Sequence, residues 1–399
     1  MLKNRNHILN AILFFFILTI PGCSRSQLAS EILPGAFDTK QYLSLLTGKK
    51  TGLVINHTSL IGNINLVDSL QSLGIPISAI FTPEHGFKGS TDAGALVSDS
   101  FYSNDSIPIV SLYGKNRKPS PEDLKGIEVI VFDLQDVGVR FYTYLSTLHY
   151  VMEACAEQKI PLIVLDRPNP NGFYIDGPVL EPGFTSFVGM HPVPVVYGMT
   201  IGEYARMING EYWLTDSLQC ELTIIKCQNY THSSYYNLPV PPSPNLPGMR
   251  AVYLYPSIAF FEGTVVSEGR GTKFPFQVIG HPDFTDHSFS FIPEPLKGYS
   301  LNPKLKWKTC YGMDLRNISI DTLLNEKKIN LDYLLTFYRN LDLGEKFFIH
   351  YFDLLAGNDL LRSQIIDGVS IDEICRSWDE ELEAFKKIRV KYLLYPDFD

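Results

Sequence analysis

The sequence predicts an α/β fold, in which a Rossmann-like domain with a mostly parallel sheet precedes a smaller C-terminal α/β domain. Short apolar runs alternate with helical patterns in the first half of the chain, and this alternation is typical of right-handed βαβ units. Proline then stands at five positions between residues 239 and 247, which indicates a rigid, extended link. We therefore place the first domain at residues 24–240 and the second at residues 241–399.

The individual elements follow from hydrophobic periodicity. A continuous apolar run such as residues 129–132 indicates a strand that is buried on both faces. The predicted strands of the first domain cover residues 51–56, 77–81, 107–112, 129–132, 162–165 and 222–226. Helical spacing predicts helices over residues 39–46, 66–73, 147–158 and 204–209. The later part of the second domain is also predicted to be helical, with apolar periodicity over residues 323–340 and 371–392.

The first 23 residues are predicted to be a lipoprotein signal peptide. Lys3 and Arg5 precede an apolar run over residues 8–20, which is too short for a comfortable transmembrane span. The segment Ile20-Pro21-Gly22-Cys23 resembles a bacterial lipobox, in which the cysteine becomes the lipidated first residue. We expect export to the bacterial envelope, in the periplasm or at the outer membrane, with membrane contact only through a lipid on Cys23. Ordinary cleavage that leaves a free Cys23 is the alternative.

Composition and missing motifs exclude several functional classes. The net charge of −9 argues against a nucleic-acid partner, which would need a basic face. The five cysteines after Cys23 are irregularly spaced and do not form a disulfide framework, although a pair between Cys220 and Cys227 stays open. The sequence has no dinucleotide or phosphate-binding loop, no nucleophile elbow and no zinc motif, so we expect neither cofactor nor metal. The remaining carboxylates, amides, arginines and aromatic residues suit a sugar.

Polar residues follow the predicted strands of the first domain. They are Asn56, Glu84, Tyr113, Asp133 and Asp166. In open α/β sheets, ligands bind outside the carboxyl ends of the strands. We therefore expect a functional site at this edge of the sheet, with Asn56 among the residues that bind substrate.

Glu84 is the first candidate catalytic residue, with His85 beside it. The strand over residues 77–81 ends in Thr-Pro, and Gly86 turns the chain directly after His85. Neighbouring phenylalanine and proline side chains would partly desolvate the Glu84 carboxyl and raise its pKa, which suits a proton donor. The alternative is a glutamate that caps a helix or forms a salt bridge on a loop.

The segment over residues 133–144 carries more polar and aromatic groups than a connector needs. Asp133 or Asp136 would orient a sugar or a water, and Arg140 would pair with a substrate carboxylate bidentately. The alternative is an internal Asp–Arg ion pair that orders the loop. Asp133 is a candidate catalytic residue, and the candidates for substrate binding are Gln135, Asp136, Arg140, Tyr142 and Tyr144.

Two further segments supply candidates. Prolines on both sides of Asn169 would hold Asn169 and Asn171 in fixed positions for substrate binding, although the same residues also make an ordinary turn. Glu268 and Arg270 stand between small residues, so their backbone can approach a ligand closely. Glu268 is a candidate catalytic residue and Arg270 a candidate for substrate binding, against the alternative of an exposed ion pair in a turn.

Five segments carry a resemblance to one family. They are TPEHGF, FDLQDVGVRFYTY, LDRPNPNG, GMTIGEYA and SEGRGT, which begin at residues 82, 132, 165, 198 and 267. Together they resemble the NamZ-type exo-β-N-acetylmuramidases, once catalogued as bacterial proteins of unknown function, and the resemblance extends from about Lys50 onward. One departure is Val196-Tyr197-Gly198, where a basic residue and a glycine are expected, and this difference concerns substrate detail.

The resemblance implies a Rossmann-like domain joined to a smaller α/β domain, with the active site in the cleft between them. It implies release of N-acetylmuramic acid from the non-reducing ends of peptidoglycan fragments, with Glu84 as general acid. Glu268 and Arg270 are expected to face the cleft, and Arg140 or Arg270 to bind the lactyl carboxylate of muramic acid. A protein nucleophile, an activated water and the acetamido group of the substrate all stay open as the attacking group.

Two rival functions follow from the same residues. A lipoprotein that binds cell-wall sugars without cleaving them would use the same polar and aromatic groups. A structural or assembly protein of the envelope would need no acid at Glu84. Release of product from a muramoyl glycoside separates the enzyme from both, and the sequence makes no prediction of oligomeric state.

Overall fold

A central sheet organises the chain, whose computed structural model describes residues 31–89, 100–102 and 107–398. The strands are β1 (Thr51–Ile55), β2 (Leu60–Ile61), β3 (Ile64–Asn65), β4 (Ile77–Thr82), β5 (Ser100–Tyr102), β6 (Ile107–Ser111), β7 (Val129–Asp133), β8 (Leu162–Leu165), β9 (Asp176–Val179), β10 (Pro194–Val196), β11 (Leu222–Ile225), β12 (Val278–His281), β13 (Ser290–Phe291) and β14 (Cys310–Asp314). The helices are α1 (Thr39–Leu46), α2 (Leu66–Ser72), α3 (Tyr144–Gln158), α4 (Ile201–Gly210), α5 (Met249–Ile258), α6 (Ile320–Glu326), α7 (Asp332–Leu341), α8 (Tyr351–Ala356), α9 (Leu360–Ile366), α10 (Ile371–Arg376) and α11 (Asp379–Arg389).

The central sheet has seven strands within these described ranges, in the order β11-β8-β7-β1-β4-β6-β5. Every neighbouring pair is parallel except β5 and β6, which are antiparallel at one edge. The predicted mostly parallel α/β fold is therefore confirmed. The six strands predicted for the first domain all form, and each lies within one residue of its predicted bounds.

The central strands separate two hydrophobic layers. Successive side chains of a strand point to opposite faces, so Val129 and Val131 of β7 pack toward α1 and α2, whereas Ile130 and Phe132 pack toward α3. All five residues of β7 are buried, as they are in β1. Helices on both faces explain why these strands are continuously apolar.

The second half of the chain continues the larger hydrophobic layer. Helices α5 to α11 pack around a small antiparallel sheet with the order β12-β14-β13. The described residues from Ile32 onward form one compact unit, and the domain boundary that we place between residues 240 and 241 stays a prediction. No helix in the described ranges is long and apolar enough to span a membrane, and the predicted signal peptide with Cys23 lies outside those ranges.

The later part of the second half is helical as predicted, and each of the two periodic stretches is divided into two helices. Lys327 ends α6 in the left-handed conformation, with φ of 46°, and Asn330 then accepts a hydrogen bond from the backbone of Asp332 at the start of α7. The second break lies between α10 and α11, where the indole of Trp378 is buried. Apolar residues keep a helical spacing across both breaks, so periodicity alone does not reveal them.

The proline-rich passage contains neither helix nor strand, and it is fastened to loops of the first half. Tyr142 donates a hydrogen bond from its hydroxyl to the carbonyl of Pro242 over 2.9 Å, and the His57 ring is bonded to the carbonyl of Pro241 over 2.9 Å. The passage therefore contributes a wall beside the carboxyl edge of the central sheet. The described cysteines are all free thiols, so Cys220 and Cys227 do not form a disulfide bond.

Candidate active site

A cavity of about 590 Å³ opens at the carboxyl edge of the central sheet. Loops that follow β4, β6 and β7 form one side, and segments around α5, β12 and α8 form the other. Its polar and aromatic lining includes Glu84, Tyr113, Arg117, Thr143, Ser186, Phe187, Tyr255, Glu262, Arg270, Ser300 and Tyr351. A small adjoining cavity of about 50 Å³ is lined by Glu84, His85, Tyr142, Tyr144 and Arg270, among others.

Glu84 presents a half-buried carboxyl group to both cavities. Thr143 donates a hydrogen bond from its hydroxyl to Glu84 Oε2 over 3.1 Å. The Tyr113 hydroxyl also hydrogen-bonds to Glu84, and burial, followed by the charge of Glu84, raises the pKa of Tyr113. Two hydroxyl groups therefore fix the orientation of an accessible carboxyl at the end of a buried strand.

The turn after β4 is sterically unusual at His85. Its φ of 72° lies in the left-handed region, and Gly86 continues there with φ of 68°. A left-handed conformation costs a residue with a β-carbon about 1–2 kcal/mol. The His85 ring is buried against the smaller cavity, so the turn directs His85 inward and leaves Glu84 on the cavity wall.

Arg270 lines the cavity between two carboxylates. Its Nη2 lies 3.0 Å from Glu262 Oε2, and its Nε lies 3.3 Å from Glu268 Oε1. Lys304 reaches the other oxygen of Glu268 over 2.9 Å. Burial alone would raise the pKa of Glu268, but Lys304 and Arg270 outweigh it and hold that pKa below its ordinary value.

Glu262 faces the cavity, whereas the predicted Glu268 is only 2 % exposed and lies behind Arg270. Burial raises the pKa of Glu262 above its ordinary value, and the nearby Arg270 opposes this shift. Glu262, which the sequence did not single out, therefore lines the cavity, and a catalytic role for Glu268 stays a prediction. The one feature of the sequence that could have indicated Glu262 is its position eight residues before Arg270, with which it forms an ion pair.

The structure brings five of the predicted residues to the cavity walls. These are Glu84, His85, Tyr142, Tyr144 and Arg270. The others are buried one layer behind and line neither cavity: Asn56, Asp133, Gln135, Asp136, Arg140, Asn169, Asn171 and Glu268. Asn56 donates to the Tyr144 hydroxyl over 2.8 Å, so it supports a wall residue.

Arg140 is one of these scaffold residues and is 1 % exposed. Its guanidinium donates to four backbone carbonyls at 2.6–2.8 Å, namely those of Pro178, Val193, Leu355 and Ala356. Burial lowers its pKa to about 9. The side chain joins loops of the first half to α8 and does not reach the cavity, so this position gives no support to its predicted role with a substrate carboxylate.

Asp133 is also buried, and its carboxylate is paired with an arginine inside the protein. Its carboxylate forms a bidentate ion pair with Arg167, in which Nη2 lies 2.9 Å from Oδ2, and both side chains are almost completely buried. It differs from the Asp–Arg pair within the loop that the sequence left open, because its arginine is Arg167 and not Arg140. It connects the ends of β7 and β8.

Asparagine and glutamine side chains fasten the loops after β7 and β8 to each other. Gln135 donates to the carbonyls of Asp136 and Pro168 at 2.8 Å, and Asn171 donates to the carbonyl of Val137 at 2.8 Å. Gly138 has φ of 78°, and a β-carbon there would lie 2.1 Å from Asn169 Oδ1. The asparagines therefore shape the loop that carries Tyr142 and Thr143 and have no access to a ligand in either cavity.

Asp136 gives the protein a testable pH dependence. Burial raises the pKa of Asp136 to about 7, although Tyr197 and the Gly138 amide hydrogen-bond to it. The unfolded chain ionises this group near pH 4, so its contribution to folding is fully present below pH 4 and is lost as pH rises to about 7. We expect Asp136→Asn to remove a slope of at most about 1.4 kcal/mol per pH unit from the free energy of unfolding across this window.

Urea denaturation of the two proteins at intervals from pH 4 to pH 8 measures this difference. Other buried carboxyls contribute equally to both proteins, so subtraction isolates Asp136. Parallel curves for the parent and the variant would contradict the assignment.

Arg140 provides a test of the scaffold. We expect Arg140→Met to lower the free energy of unfolding by at least about 3 kcal/mol, because four buried carbonyls lose a charged donor. Lys386→Met, which removes an exposed ion pair with Glu383, should cost less than about 1 kcal/mol. A variant that keeps its stability and loses only affinity for an anionic sugar would restore Arg140 to substrate binding.

Comparisons with known proteins find matches along most of the chain. The family descriptions "Exo-beta-N-acetylmuramidase NamZ, N-terminal" and "C-terminal" match residues 51–250 and 253–395, so the cavity is lined from both parts. The chain is 38 % identical over 379 residues to the peptidoglycan β-N-acetylmuramidase NamZ of Bacillus subtilis, covering 89 % of each chain.

Two solved structures from Bacteroides fragilis, both described as DUF1343 family proteins, share the fold. One has a TM-score of 0.86 at 46 % identity and covers 92 % of this chain and 100 % of its own. The other has a TM-score of 0.75 at 29 % identity and covers 91 % and 99 %. With both domains matched along most of its length, the chain belongs to the NamZ exo-β-N-acetylmuramidase family and is a glycosidase.

Proposed function

We propose that this glycosidase acts from the non-reducing ends of peptidoglycan fragments and releases N-acetylmuramic acid, with Glu84 as the general acid. The Bacillus relative is named for peptidoglycan and β-N-acetylmuramidase activity, and the family descriptions add the exo mode. The observation that carries the proposal is the pair of carboxyl groups, Glu84 and Glu262, that line one cavity at the carboxyl edge of the sheet.

The cavity has the size and the lining that a sugar requires. A volume of about 590 Å³ lies within the usual range of small-molecule sites, which is roughly 300–1,000 Å³. Hydroxyl groups from Thr143, Ser186 and Ser300 can bond to sugar hydroxyls, and the rings of Tyr255 and Tyr351 offer apolar surfaces. Most glycoside hydrolases use two carboxyl groups, of which one protonates the leaving oxygen.

In the proposed reaction, the protonated Glu84 carboxyl gives its proton to the glycosidic oxygen as the bond from that oxygen to C1 breaks. The hydrogen bonds from Thr143 and Tyr113 orient the carboxyl for this transfer. Positive charge develops on the sugar ring, and we assign its stabilisation to Glu262, whose ionised form Arg270 favours. Water finally supplies the new oxygen on C1 and returns a proton to Glu84.

Substrates that differ in their leaving group test the roles of the two glutamates. We expect Glu84→Gln to lower kcat/KM for a muramoyl-glucosamine disaccharide by about 100- to 10,000-fold, because the departing alkoxide needs a proton. A 2,4-dinitrophenyl muramoyl glycoside needs none, so its hydrolysis should fall far less. Glu262→Gln should slow both substrates to a similar extent, since charge stabilisation is independent of the leaving group.

The matched control is Glu122→Gln, which alters an exposed glutamate outside the cavity and should leave both rates unchanged. Equal losses on both substrates in Glu84→Gln would reject it as the acid. Saturable binding without released product from the parent protein would instead support a sugar-binding lipoprotein.

Export and anchoring form a separate part of the proposal. The predicted lipobox at Cys23 motivates attachment to an envelope membrane. Replacing Cys23 by serine should move the protein from the membrane fraction to the soluble fraction after cell lysis, because the thioether that holds the lipid is lost. An unchanged distribution of immunoblot signal between the fractions would reject Cys23 as the anchor.

A further inference from the structure

Arg117 lies on the rim of the cavity, on the loop that follows β6. Its side chain is exposed, and the central carbon of its guanidinium lies 4.3 Å from the centroid of the Phe187 ring. Its charge also acts on Tyr113, which hydrogen-bonds to Glu84, so Arg117 belongs to the same electrostatic environment as the proposed acid. The cation is thus held at the cavity and is open to solvent.

The aromatic support beneath Arg117 is itself fixed in place. Phe187 is half-buried. The centroid of its ring lies 6.0 Å from that of Tyr113 and 6.4 Å from that of Tyr150, and the Phe187 and Tyr150 rings are stacked. The Ser146 hydroxyl donates to the carbonyl of Phe187 over 2.7 Å. A guanidinium above a fixed ring loses less conformational freedom on binding an anion than a free side chain does.

The other two arginines near the cavity already have charged or carbonyl partners, although Nη1 of Arg270 makes no hydrogen bond within the described residues. Arg270 is paired with Glu262 and Glu268, and Arg140 is buried among backbone carbonyls. Within the described ranges, no carboxylate lies within 4.0 Å of the Arg117 guanidinium. Arg117 is therefore the arginine on the cavity wall whose positive charge these described residues leave unbalanced.

We propose that Arg117, seated on Phe187, binds the lactyl carboxylate of the muramic acid substrate and makes the site selective for anionic over neutral N-acetyl sugars. This inference rests on the proposed function for the class of substrate. A guanidinium presents two parallel N–H donors that match the two oxygens of a carboxylate. The muramic and glucosamine sugars differ only in the lactyl ether, so one cation suffices to discriminate between them.

The test compares the aryl glycoside of N-acetylmuramic acid with the glycoside whose lactyl carboxylate is converted to a carboxamide. The carboxamide keeps the shape of the substrate and removes its charge. We expect Arg117→Ala to lower kcat/KM for the carboxylate by about 10- to 100-fold and to leave the carboxamide unchanged, so the preference disappears. Arg117→Lys should keep part of the preference for the carboxylate, because the lysine ammonium keeps the positive charge and loses the two parallel N–H donors of the guanidinium.

Lys115→Ala is the matched control, since it removes an exposed cation from the same loop without altering the cavity lining. It should keep the full preference. Calorimetric binding of N-acetylmuramic acid and its carboxamide to Glu84→Gln, with and without Arg117→Ala, tests recognition even if the proposed acid is wrong. A preference for the carboxylate that survives Arg117→Ala, or its absence in the parent protein, overturns the proposal.

Discussion

A layer of buried polar side chains behind the cavity, joined by hydrogen bonds and ion pairs, holds the site together. Asp133 and Arg167 connect the ends of β7 and β8, Asn56 supports Tyr144, and Arg140 ties the first half of the chain to α8. Such groups are costly to bury unless each finds a partner, and a satisfied network admits few alternative arrangements. This layer positions the cavity walls, because Asn56 holds Tyr144 and Arg140 holds α8, which begins at Tyr351.

Features that depend on local sequence are the parts of the fold that the sequence predicts. The strands of the central sheet appear as continuous apolar runs because helices cover both faces, and that signal is local. The breaks in the second half escape detection because a single left-handed residue, such as Lys327, leaves the apolar spacing on each side intact. The parallel sheet was therefore predictable, whereas the division of the C-terminal helices depended on cues of one or two residues.

The candidate site was predictable in location and less so in membership. Glu84 stands out because proline and glycine bracket it at a strand end, and its turn places it on the cavity wall. Asp133 follows a strand in the same way, yet its carboxylate turns toward Arg167, which lies 34 positions away in the sequence. Whether an acidic side chain faces the cavity depends on such distant partners. Glu268 is likewise held away from the cavity by Lys304, and Glu262 lines the cavity in its place.

The two arginines that line the cavity, Arg117 and Arg270, differ in how far nearby carboxylates balance their charge. Glu262, Glu268, Arg270 and Lys304 carry two negative and two positive charges, so this group is neutral and has little net attraction for an anion. Glu84 adds a further acidic group nearby. A carboxylate on the proposed substrate is therefore attracted more strongly to a cation outside the neutral cluster. Arg117 is placed to supply that attraction at the rim, where the anion does not have to enter the space beside Glu84 and Glu262.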